Sequence, residues 1–443
     1  MNMAIDPSLS LQVRRWNDQY FAGQLSQAAL SLMHSPDTVN DEASALVERA
    51  LRWCKRARIE ARDLTLFQAW SFGRLFPKLV PSAWGGLIPP VTREGRHRKI
   101  DEYVSRTPWR AENTAGTFLD IGCGLPPTTT VDTARRFPDW QVIGVDPQFH
   151  PYLLTDASGD YACLDGEGNA VYFQPSIPDI ASWDALFADK PAAKARFENI
   201  AASLRGPLDG FAGTGPAAVE FKGMRLEKDP MRRFEKANMR LVRGGLGTVD
   251  ACNVDVARCF NVLVYYDTAV RAHALDWLSG VLRPGGVFIC GMDWVGTSVA
   301  RYTVYRNEGA QLIEKEFAFS VDNVRPVGPV TCLAFCDGDY ETERLAELVA
   351  ALRSDESFRS RYDLTLDRIL RDLEFCARDE SGCLGGAPAA LPAEEFERRF
   401  IAIEERLAAA ALTEAAIDTL RRQGMDAWKN CVGHIAVAPA GRL

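Results

Sequence analysis

The chain has 443 residues, of which 47% are apolar and 25% are charged. This composition is typical of a soluble globular protein and excludes disorder as the main state, and the length predicts two or three compact units. The net charge of −8 provides no overall positive field for nucleic acid or an acidic membrane. No apolar run reaches the roughly 18–20 residues of a membrane span, and the first thirty residues contain charged residues where a signal peptide would have an apolar core. We therefore expect a cytoplasmic protein that binds neither nucleic acid nor a membrane.

The cysteines and histidines indicate no metal or disulfide framework. Eleven cysteines and five histidines are spread along the chain without a CxxC pair. This pattern predicts neither a zinc site nor a disulfide-linked secreted fold. We therefore expect free thiols and no bound metal.

The first part of the chain has helical spacing of apolar residues, from Ser8 to about Val80. Prolines and glycines in the segment 79–90 break this spacing, and the segment is either a linker or a lid. We expect an N-terminal helical region or lid over residues 1–115. Within it, Tyr20 and Trp84 either close a site or serve in packing.

From Gly116 onward, short β-branched runs alternate with helical segments. This alternation predicts an α/β fold in which helices cover both faces of a parallel sheet, and we expect it to occupy residues 116–340. The stretch between the second and third strands is too long for an ordinary crossover, which predicts an insertion at about 151–237 that starts with hairpins and continues as a helix. The predicted elements are the strands Thr117–Ile121, Gln141–Val145, Met239–Val242, Val254–Val262 and Val287–Met292, and the helices Thr129–Phe137 and Ala269–Val281.

The last part of the chain, residues 341–443, is predicted to be helical and to end on a strand. Two or three strand-like runs precede it within Arg301–Phe335. The final strand, Gly433–Pro439, either pairs with the central sheet or lies outside it.

A glycine-rich turn follows the first predicted strand, in the sequence FLDIGCG at Phe118–Gly124. Glycine lets a ligand approach the backbone closely, and the following helix N-terminus offers unpaired N–H groups. At the end of the second strand, Asp146 is placed to accept two hydrogen bonds from ribose hydroxyls. These features predict a nucleotide-binding turn.

Two further motifs follow in order, DVARCFNVLVYYD at Asp255–Asp267 and VLRPGGVFICG at Val281–Gly291. Together with the glycine-rich turn, they resemble the class I S-adenosylmethionine-dependent methyltransferases over roughly Gly116–Gly291. The resemblance implies a Rossmann-like sheet of seven strands with the last one reversed. It also implies that the cofactor S-adenosylmethionine lies over the carboxyl ends of the first, second and fourth strands.

The resemblance further implies roles for single residues. Carried over to this sequence, Asp120, Gly122 and Gly124 surround the methionine part of the cofactor, and Asp146 binds its ribose. The sequence continues LPP after Gly124, where the family commonly has another glycine, so we expect a stiffer turn.

The stretch CFNVLVYYD, at the end of the fourth predicted strand and after it, is similar to the CRNVLIYF signature of the chemotaxis-receptor methyltransferases, which esterify protein glutamates. Asn261 matches their asparagine and is a candidate cofactor-binding residue. Phe260 replaces their arginine, so the likeness is local.

Several side chains are candidates for the acceptor side of the site. Tyr265 and Tyr266 follow the fourth strand, where the family places residues that face the transferred methyl group, and Asp293 and Trp294 follow the fifth. His150, shortly after the second strand, is a candidate general base. Each of these residues serves either in the site or in packing.

These features predict an enzyme that transfers a methyl group from S-adenosylmethionine to a small-molecule acceptor and releases S-adenosylhomocysteine. The large additions around the core and the acidic net charge favour a small acceptor. Three alternatives remain open: a protein carboxyl methyltransferase, another sulfonium reaction such as aminocarboxypropyl transfer or cyclisation, and a noncatalytic binding module.

Overall fold

The fold is described from a computed structural model. It describes residues 15–33, 41–76, 92–107, 115–176, 185–209, 217–294, 298–309, 311–328, 336–380, 382–385 and 391–439, and the single residues 182, 296 and 331. The segment 79–90 and its Trp84 lie outside the described residues.

The described elements are numbered in chain order. The helices are α1 Leu25–Leu32, α2 Asp41–Arg56, α3 Leu66–Trp70, α4 Arg98–Arg106, α5 Thr128–Arg136, α6 Lys190–Asp209, α7 Thr268–Val281, α8 Tyr340–Ser354, α9 Glu356–Asp372, α10 Ala393–Ala409 and α11 Leu412–Arg422. The strands are β1 Thr117–Ile121, β2 Gln141–Asp146, β3 Tyr152–Thr155, β4 Tyr161–Leu164, β5 Ala170–Gln174, β6 Ala217–Phe221, β7 Met224–Lys228, β8 Met239–Arg243, β9 Val254–Phe260, β10 Leu282–Met292, β11 Arg301–Asn307, β12 Leu312–Phe319, β13 Ala377–Arg378, β14 Leu384–Gly385, β15 Ala427–Lys429 and β16 Ile435–Val437.

A nine-stranded mixed sheet forms the centre of the fold, in the order β8-β2-β1-β9-β10-β11-β12-β16-β15. The five strands β8, β2, β1, β9 and β10 pair in parallel with one another. The four strands β11, β12, β16 and β15 each pair antiparallel with their neighbours in the sheet. The predicted α/β class is therefore confirmed.

The sheet differs from the seven-stranded sheet that the resemblance implies. The reversed strand beside β10 is β11, the next strand along the chain, and β12, β16 and β15 extend the sheet beyond it. The final strand pairs with β12, with Ile435 opposite Phe319. Pairing at this edge satisfies backbone groups that β12 would otherwise expose, which resolves the open alternative for the C-terminal strand.

Helices cover both faces of the parallel strands. On one face, Phe118 of β1 lies in an apolar cluster with Ile100 of α4 and Ala134 of α5. On the other face, Leu119 of β1 lies in a cluster with Leu278 of α7. This alternation along β1 follows from the two-residue period of a strand.

The insertion between β2 and β8 forms a small sheet of its own. Its five strands are ordered β5-β4-β3-β7-β6, and every pair is antiparallel. Phe197 of α6 is buried in one apolar cluster with Leu154 of this sheet. The predicted hairpins and helix are therefore present.

The N-terminal and C-terminal helices share one apolar cluster, which includes Leu51 of α2, Leu345 of α8 and Leu420 of α11. Tyr20 is 3% exposed in this cluster, and its hydroxyl donates to the carbonyl of Ile59. Tyr20 therefore serves in packing, not as a lid. No helix within the described ranges is both long and apolar enough to cross a membrane.

The side on which successive strands join the sheet reverses at β1, and this reversal determines where a ligand can bind. From β1 the sheet grows on one side through β2 and β8, and it then grows on the other side through β9 and β10. In open α/β sheets, ligands bind outside the carboxyl ends of the strands at such a reversal. The candidate site is therefore the crevice beyond the carboxyl ends of β1, β2 and β9.

Candidate functional site

The glycine-rich turn leaves β1 at this edge and is tied to β2. The N–H groups of Gly122 and Cys123 both donate to the carbonyl of Val145, at 2.7 and 3.2 Å. Gly122 has φ +75° and Gly124 has φ +70°, a region that favours glycine. A Cβ atom on Gly122 would lie 2.2 Å from Cγ2 of Val262, so glycine is also needed for the close approach of the segment after β9.

Asp146 closes the turn from the end of β2. Its Oδ2 accepts a hydrogen bond from the Gly124 N–H at 2.9 Å, and its Oδ1 accepts one from the Gln148 N–H at 2.7 Å. Burial raises the pKa of Asp146, and these two N–H groups oppose the rise. Because a carboxylate has about four acceptor positions, two remain, which is the number that two ribose hydroxyls require. The two free acceptor positions of Asp146 therefore fit the ribose hydroxyls of the predicted cofactor.

Asp120 is directed into an internal ion pair. Arg258 of β9 donates to both of its oxygens, at 2.9 and 2.7 Å, and Thr130 donates to Oδ2 at 2.7 Å. Burial would raise the pKa of Asp120, but the charge and hydrogen bonds of Arg258, together with smaller contributions from His97 and Thr130, outweigh burial and the net shift is downward. The structure thus places Asp120 where it positions the turn, and a contact with the methionine part of the cofactor stays a prediction.

Arg258 also holds a second buried carboxylate. It donates to Oδ1 of Asp101 on α4 at 2.7 Å, and Thr133 of α5 donates to the same carboxylate. Burial raises the pKa of Asp101 to about 6, against the charge of Arg258. This arrangement ties α4 and α5 to the centre of the sheet.

Asn261 and Asp293 meet at the carboxyl ends of β9 and β10. The Asn261 side chain donates to Oδ1 of Asp293 at 3.1 Å, and the Asp293 N–H donates to the Asn261 oxygen at 3.3 Å. The backbone of Asn261 has φ +58°, and its N–H donates to the carbonyl of Gly291 at 2.9 Å. The structure therefore brings together two residues that the sequence analysis predicted as site candidates on separate grounds.

Sequence reasoning missed Arg96 and His97, which reach Asp293 from the N-terminal region. Nδ1 of His97 lies 2.7 Å from Oδ2 of Asp293, and Arg96 donates to the Asp293 carbonyl at 3.1 Å. His97 is 7% exposed and Asp293 is fully buried. The only sequence signal for His97 is that the chain has just five histidines. Its contact with Asp293 could not be predicted, because 196 positions separate the two residues.

The charges in this cluster determine its protonation. Burial lowers the pKa of His97, Asp293 opposes this shift, and Arg258 and Arg96 support it. Burial would raise the pKa of Asp293, but the charge that His97 carries when protonated, the charge of Arg96 and the hydrogen bonds from His97 and Asn261 together outweigh burial, so its pKa is lowered. The cluster therefore favours an ionised Asp293 beside a neutral His97.

The segment 92–97 connects the start of α5 with this cluster. Near its start, the Thr92 hydroxyl lies 2.7 Å from the Thr128 hydroxyl at the beginning of α5, and the Gly95 N–H donates to Asp132 at 2.8 Å. At its other end, His97 is bound to Asp293 after β10. The segment 92–97 therefore runs from the residues that follow the glycine-rich turn to the carboxyl end of β10.

His150 lies on the β2 side of the crevice. Its Nε2 is 2.8 Å from Oε1 of Gln148, and the residue lines a cleft of about 590 Å³ together with Met231 and Arg243. Burial and the charge of Arg243 lower the pKa of His150. Its role as a general base stays a prediction.

The aromatic candidates lie at different depths. Tyr265 is partly buried, and its carbonyl accepts a hydrogen bond from the Cys336 thiol at 3.0 Å. Tyr266 is 38% exposed. Partial burial raises its pKa, and Cys259 and Asp146 add to this rise. A catalytic role for Tyr265 stays a prediction.

The residue after Asp293 packs away from this crevice. The Trp294 ring lies 4.9 Å from the Phe400 ring of α10. In the part of the chain that the structure describes, no group of three or more His, Cys, Asp or Glu residues is arranged to hold a metal ion.

Comparisons with known proteins yield matches only among solved structures, since no family model and no curated protein matches the chain. Coclaurine N-methyltransferase, bound to N-methylheliamine and SAH, shares 10% identity over 98% of both chains, with a TM-score of 0.25. SAM-bound CalS10, an amino pentose methyltransferase from Micromonospora echinaspora, shares 16% identity over 52% of this chain and 68% of its own, with a TM-score of 0.22. PKMT2 from Rickettsia typhi, in complex with AdoHcy, shares 15% identity over 40% of this chain, with a TM-score of 0.19, and the match spans only 21% of its length.

The order of the parallel strands defines the class of fold. The strands β8-β2-β1-β9-β10 correspond to the order 3-2-1-4-5 of a doubly wound sheet, with a glycine-rich turn after the first strand and an acid after the second. The chain thus has a Rossmann-like α/β fold, which is the class of fold that the motifs predict.

Proposed function

We propose that the protein transfers the methyl group of S-adenosylmethionine to a small-molecule acceptor and releases S-adenosylhomocysteine. The observation that supports this proposal most directly is the carboxylate of Asp146. The N–H groups of Gly124 and Gln148 orient it at the reversal of the sheet, and two acceptor positions remain for ribose hydroxyls.

Different residues around the crevice would bind the different parts of the cofactor and the acceptor. When bound, S-adenosylmethionine supplies a methyl group activated by a sulfonium, so the protein mainly aligns the acceptor and excludes water. Asp146 would hold the ribose, and the turn at Gly122 and Gly124 would border the amino-acid part. Asn261, a candidate cofactor-binding residue, and the segment 92–97 would border the site on the side of β9 and β10, where the acceptor would enter.

The additions around the sheet support a small acceptor. The insertion borders the carboxyl end of β8 beside His150, and the segment 92–97 is bound to Asp293 after β10, so the additions flank the crevice on both sides. The ten cysteines in the described ranges are free thiols, which supports the expected reducing, cytoplasmic compartment.

The first test is calorimetric titration of S-adenosylmethionine and S-adenosylhomocysteine into the wild type and Asp146→Ala. Loss of hydrogen bonds to a charged group should weaken binding by about 1–3 kcal/mol. The matched control is Asp165→Ala, because Asp165 also accepts two backbone N–H groups but lies in a hairpin of the insertion. Equal binding by Asp146→Ala and the wild type would refute the assignment of the ribose site.

The transfer itself is tested by incubation of the protein with a metabolite extract and S-adenosylmethionine that carries a deuterated methyl group. We expect a mass-labelled small molecule together with S-adenosylhomocysteine. Cofactor binding without any labelled small molecule would contradict the proposed transfer, and label in a protein band would shift the acceptor class to protein.

A further inference from the structure

His97 and Asp293 form a buried imidazole–carboxylate pair whose geometry determines the tautomer of the ring. Oδ2 of Asp293 lies 2.7 Å from Nδ1, so Nδ1 carries the proton that faces the carboxylate. The basic nitrogen is then Nε2. Within the described residues, Nε2 has no hydrogen-bond partner.

Asp293 is itself held in place. Its Oδ1 accepts the Asn261 side chain at 3.1 Å and lies 3.3 Å from Nε of Arg96. A base that is oriented by a fixed carboxylate is the arrangement that proton-transfer sites use on unrelated folds. The pair is therefore preorganised to accept a proton at Nε2.

The position of the ring connects this pair with the proposed site. The His97 ring lies 5.2 Å from the ring of Phe260, the last residue of β9, and Asp293 follows β10 directly. Both are at the carboxyl edge where the reversal of the sheet places a ligand. The segment 92–97 brings His97 to this edge from the start of α5.

The charged groups around the ring favour its neutral form. The carboxylate of Asp293 opposes the effect of burial, while Arg96 and Arg258 add to it, and Asp120 lies near enough for its own pKa to be lowered by His97. The net direction is a lowered pKa for His97. The ring is then ready to take a proton at neutral pH.

We propose that His97 is the general base of the methyl transfer and that the accepting atom is a hydroxyl oxygen. This inference rests on the proposed function. An acceptor carboxylate is already ionised at neutral pH, and an ammonium group can lose its proton to solvent before the transfer, after which its lone pair is free to attack. A hydroxyl oxygen, by contrast, gains most of its nucleophilicity when its proton is removed.

The step balances as a single displacement. The O–H proton moves to Nε2 of His97, and an oxygen lone pair forms the new C–O bond to the methyl carbon. The C–S bond breaks with its electron pair remaining on sulfur, so the sulfonium becomes a neutral thioether. The imidazolium then returns its proton to solvent.

The experiment compares the labelled products and rates of the wild type, His97→Gln and Asp293→Asn, with His273→Gln as the matched control, because His273 is exposed on α7. We expect a methyl ether as product. At pH 7, His97→Gln should lose about 100- to 10,000-fold in rate, the usual contribution of a general base. S-Adenosylhomocysteine should still bind His97→Gln within twofold, and His273→Gln should keep the wild-type rate.

The pH profile separates a base from a structural residue. The wild-type rate should reach a plateau above the lowered pKa of His97, whereas the rate of His97→Gln should rise tenfold per pH unit until the acceptor hydroxyl ionises by itself. A product methylated only at nitrogen or carboxylate, or an undiminished rate in His97→Gln, would overturn the inference while leaving the transferase proposal intact. Loss of S-adenosylhomocysteine binding in both His97→Gln and Asp293→Asn would assign the pair to structure and overturn it as well. Failure of the wild type to bind S-adenosylhomocysteine would refute the proposed function itself.

Discussion

At the scale of single residues, two buried aspartates at neighbouring strand ends show how partners decide a role. Asp146 and Asp120 are 5% and 3% exposed. Backbone N–H groups bind Asp146 and leave acceptor capacity, whereas Arg258 occupies both oxygens of Asp120. Similar burial of the same side chain therefore supports ligand binding in one case and an internal ion pair in the other.

Gly122 provides the first prediction at this scale. Gly122→Ala should destabilise the protein by about 1–2 kcal/mol for the left-handed backbone and by roughly 1–3 kcal/mol more for the clash with Val262. Gly424→Ala is the matched control, because Gly424 has φ +82° and its Cβ would meet nothing within 4 Å. Chemical denaturation measures both variants, and equal losses would show that contact with Val262 contributes nothing.

At the scale of elements, the last strand decides how the sheet ends. β16 pairs with β12 on one side and with β15 on the other, and Ile435 is fully buried between them and the helical core. A C-terminal strand thus completes a sheet whose first strand lies more than three hundred positions earlier in the chain. Its stability comes from apolar burial as well as from backbone pairing.

A truncation of one side chain tests this role. Ile435→Ala should reduce the free energy of unfolding by about 2–5 kcal/mol, because it leaves a cavity in a packed core. Leu364→Ala is the control, since Leu364 is 72% exposed and surface substitutions usually change stability by less than about 0.5 kcal/mol. A loss at Ile435 as small as that at Leu364 would mean that β16 does not belong to the core.

At the scale of the whole molecule, a buried polar network joins elements from distant parts of the chain. Lys99 of α4 forms an ion pair with Glu404 of α10, and Nε2 of His434 beside β16 lies 3.6 Å from the same carboxylate. The Tyr302 hydroxyl of β11 lies 3.2 Å from Nδ1 of His434. Asp322 lies close enough to Glu404 for the two to influence each other's ionisation.

Asp322 makes stability dependent on pH. Burial, together with the charge of Glu404, raises the pKa of Asp322 to about 7 from an ordinary value of 3.8. Between these two values the folded chain keeps a proton that the unfolded chain has released, so stability should fall as pH rises, by up to about 1.4 kcal/mol per pH unit.

Denaturant unfolding from pH 4 to pH 7 measures this slope. Asp322→Asn should reduce it, while the part contributed by Asp101, with its pKa of about 6, should remain. Asp165→Asn should leave the slope unchanged, because hydrogen bonds from Asn169 and from backbone N–H groups lower the pKa of Asp165. An undiminished slope in Asp322→Asn would show that Asp322 does not keep the proton in the folded chain.

The sequence by itself determined the features that depend on neighbouring residues. The span of β1, the glycine-rich turn and the position of Asp146 at the end of β2 all follow from short apolar runs bounded by turn residues and from glycine chemistry, which act over a few positions. The order of the motifs was enough to predict the class of fold. The cofactor site could be predicted to this extent because its turn is local.

The tertiary structure alone decided which distant residues meet. The pairing of Arg258 with Asp120, the contact between Asn261 and Asp293, and the arrival of His97 at that contact all join segments that no local period relates. The place of β16 beside β12 was likewise open, because a short apolar strand fits any edge that has unpaired backbone groups. Long-range packing selects among such possibilities, since it must bury apolar faces and pair buried charges throughout the molecule at the same time.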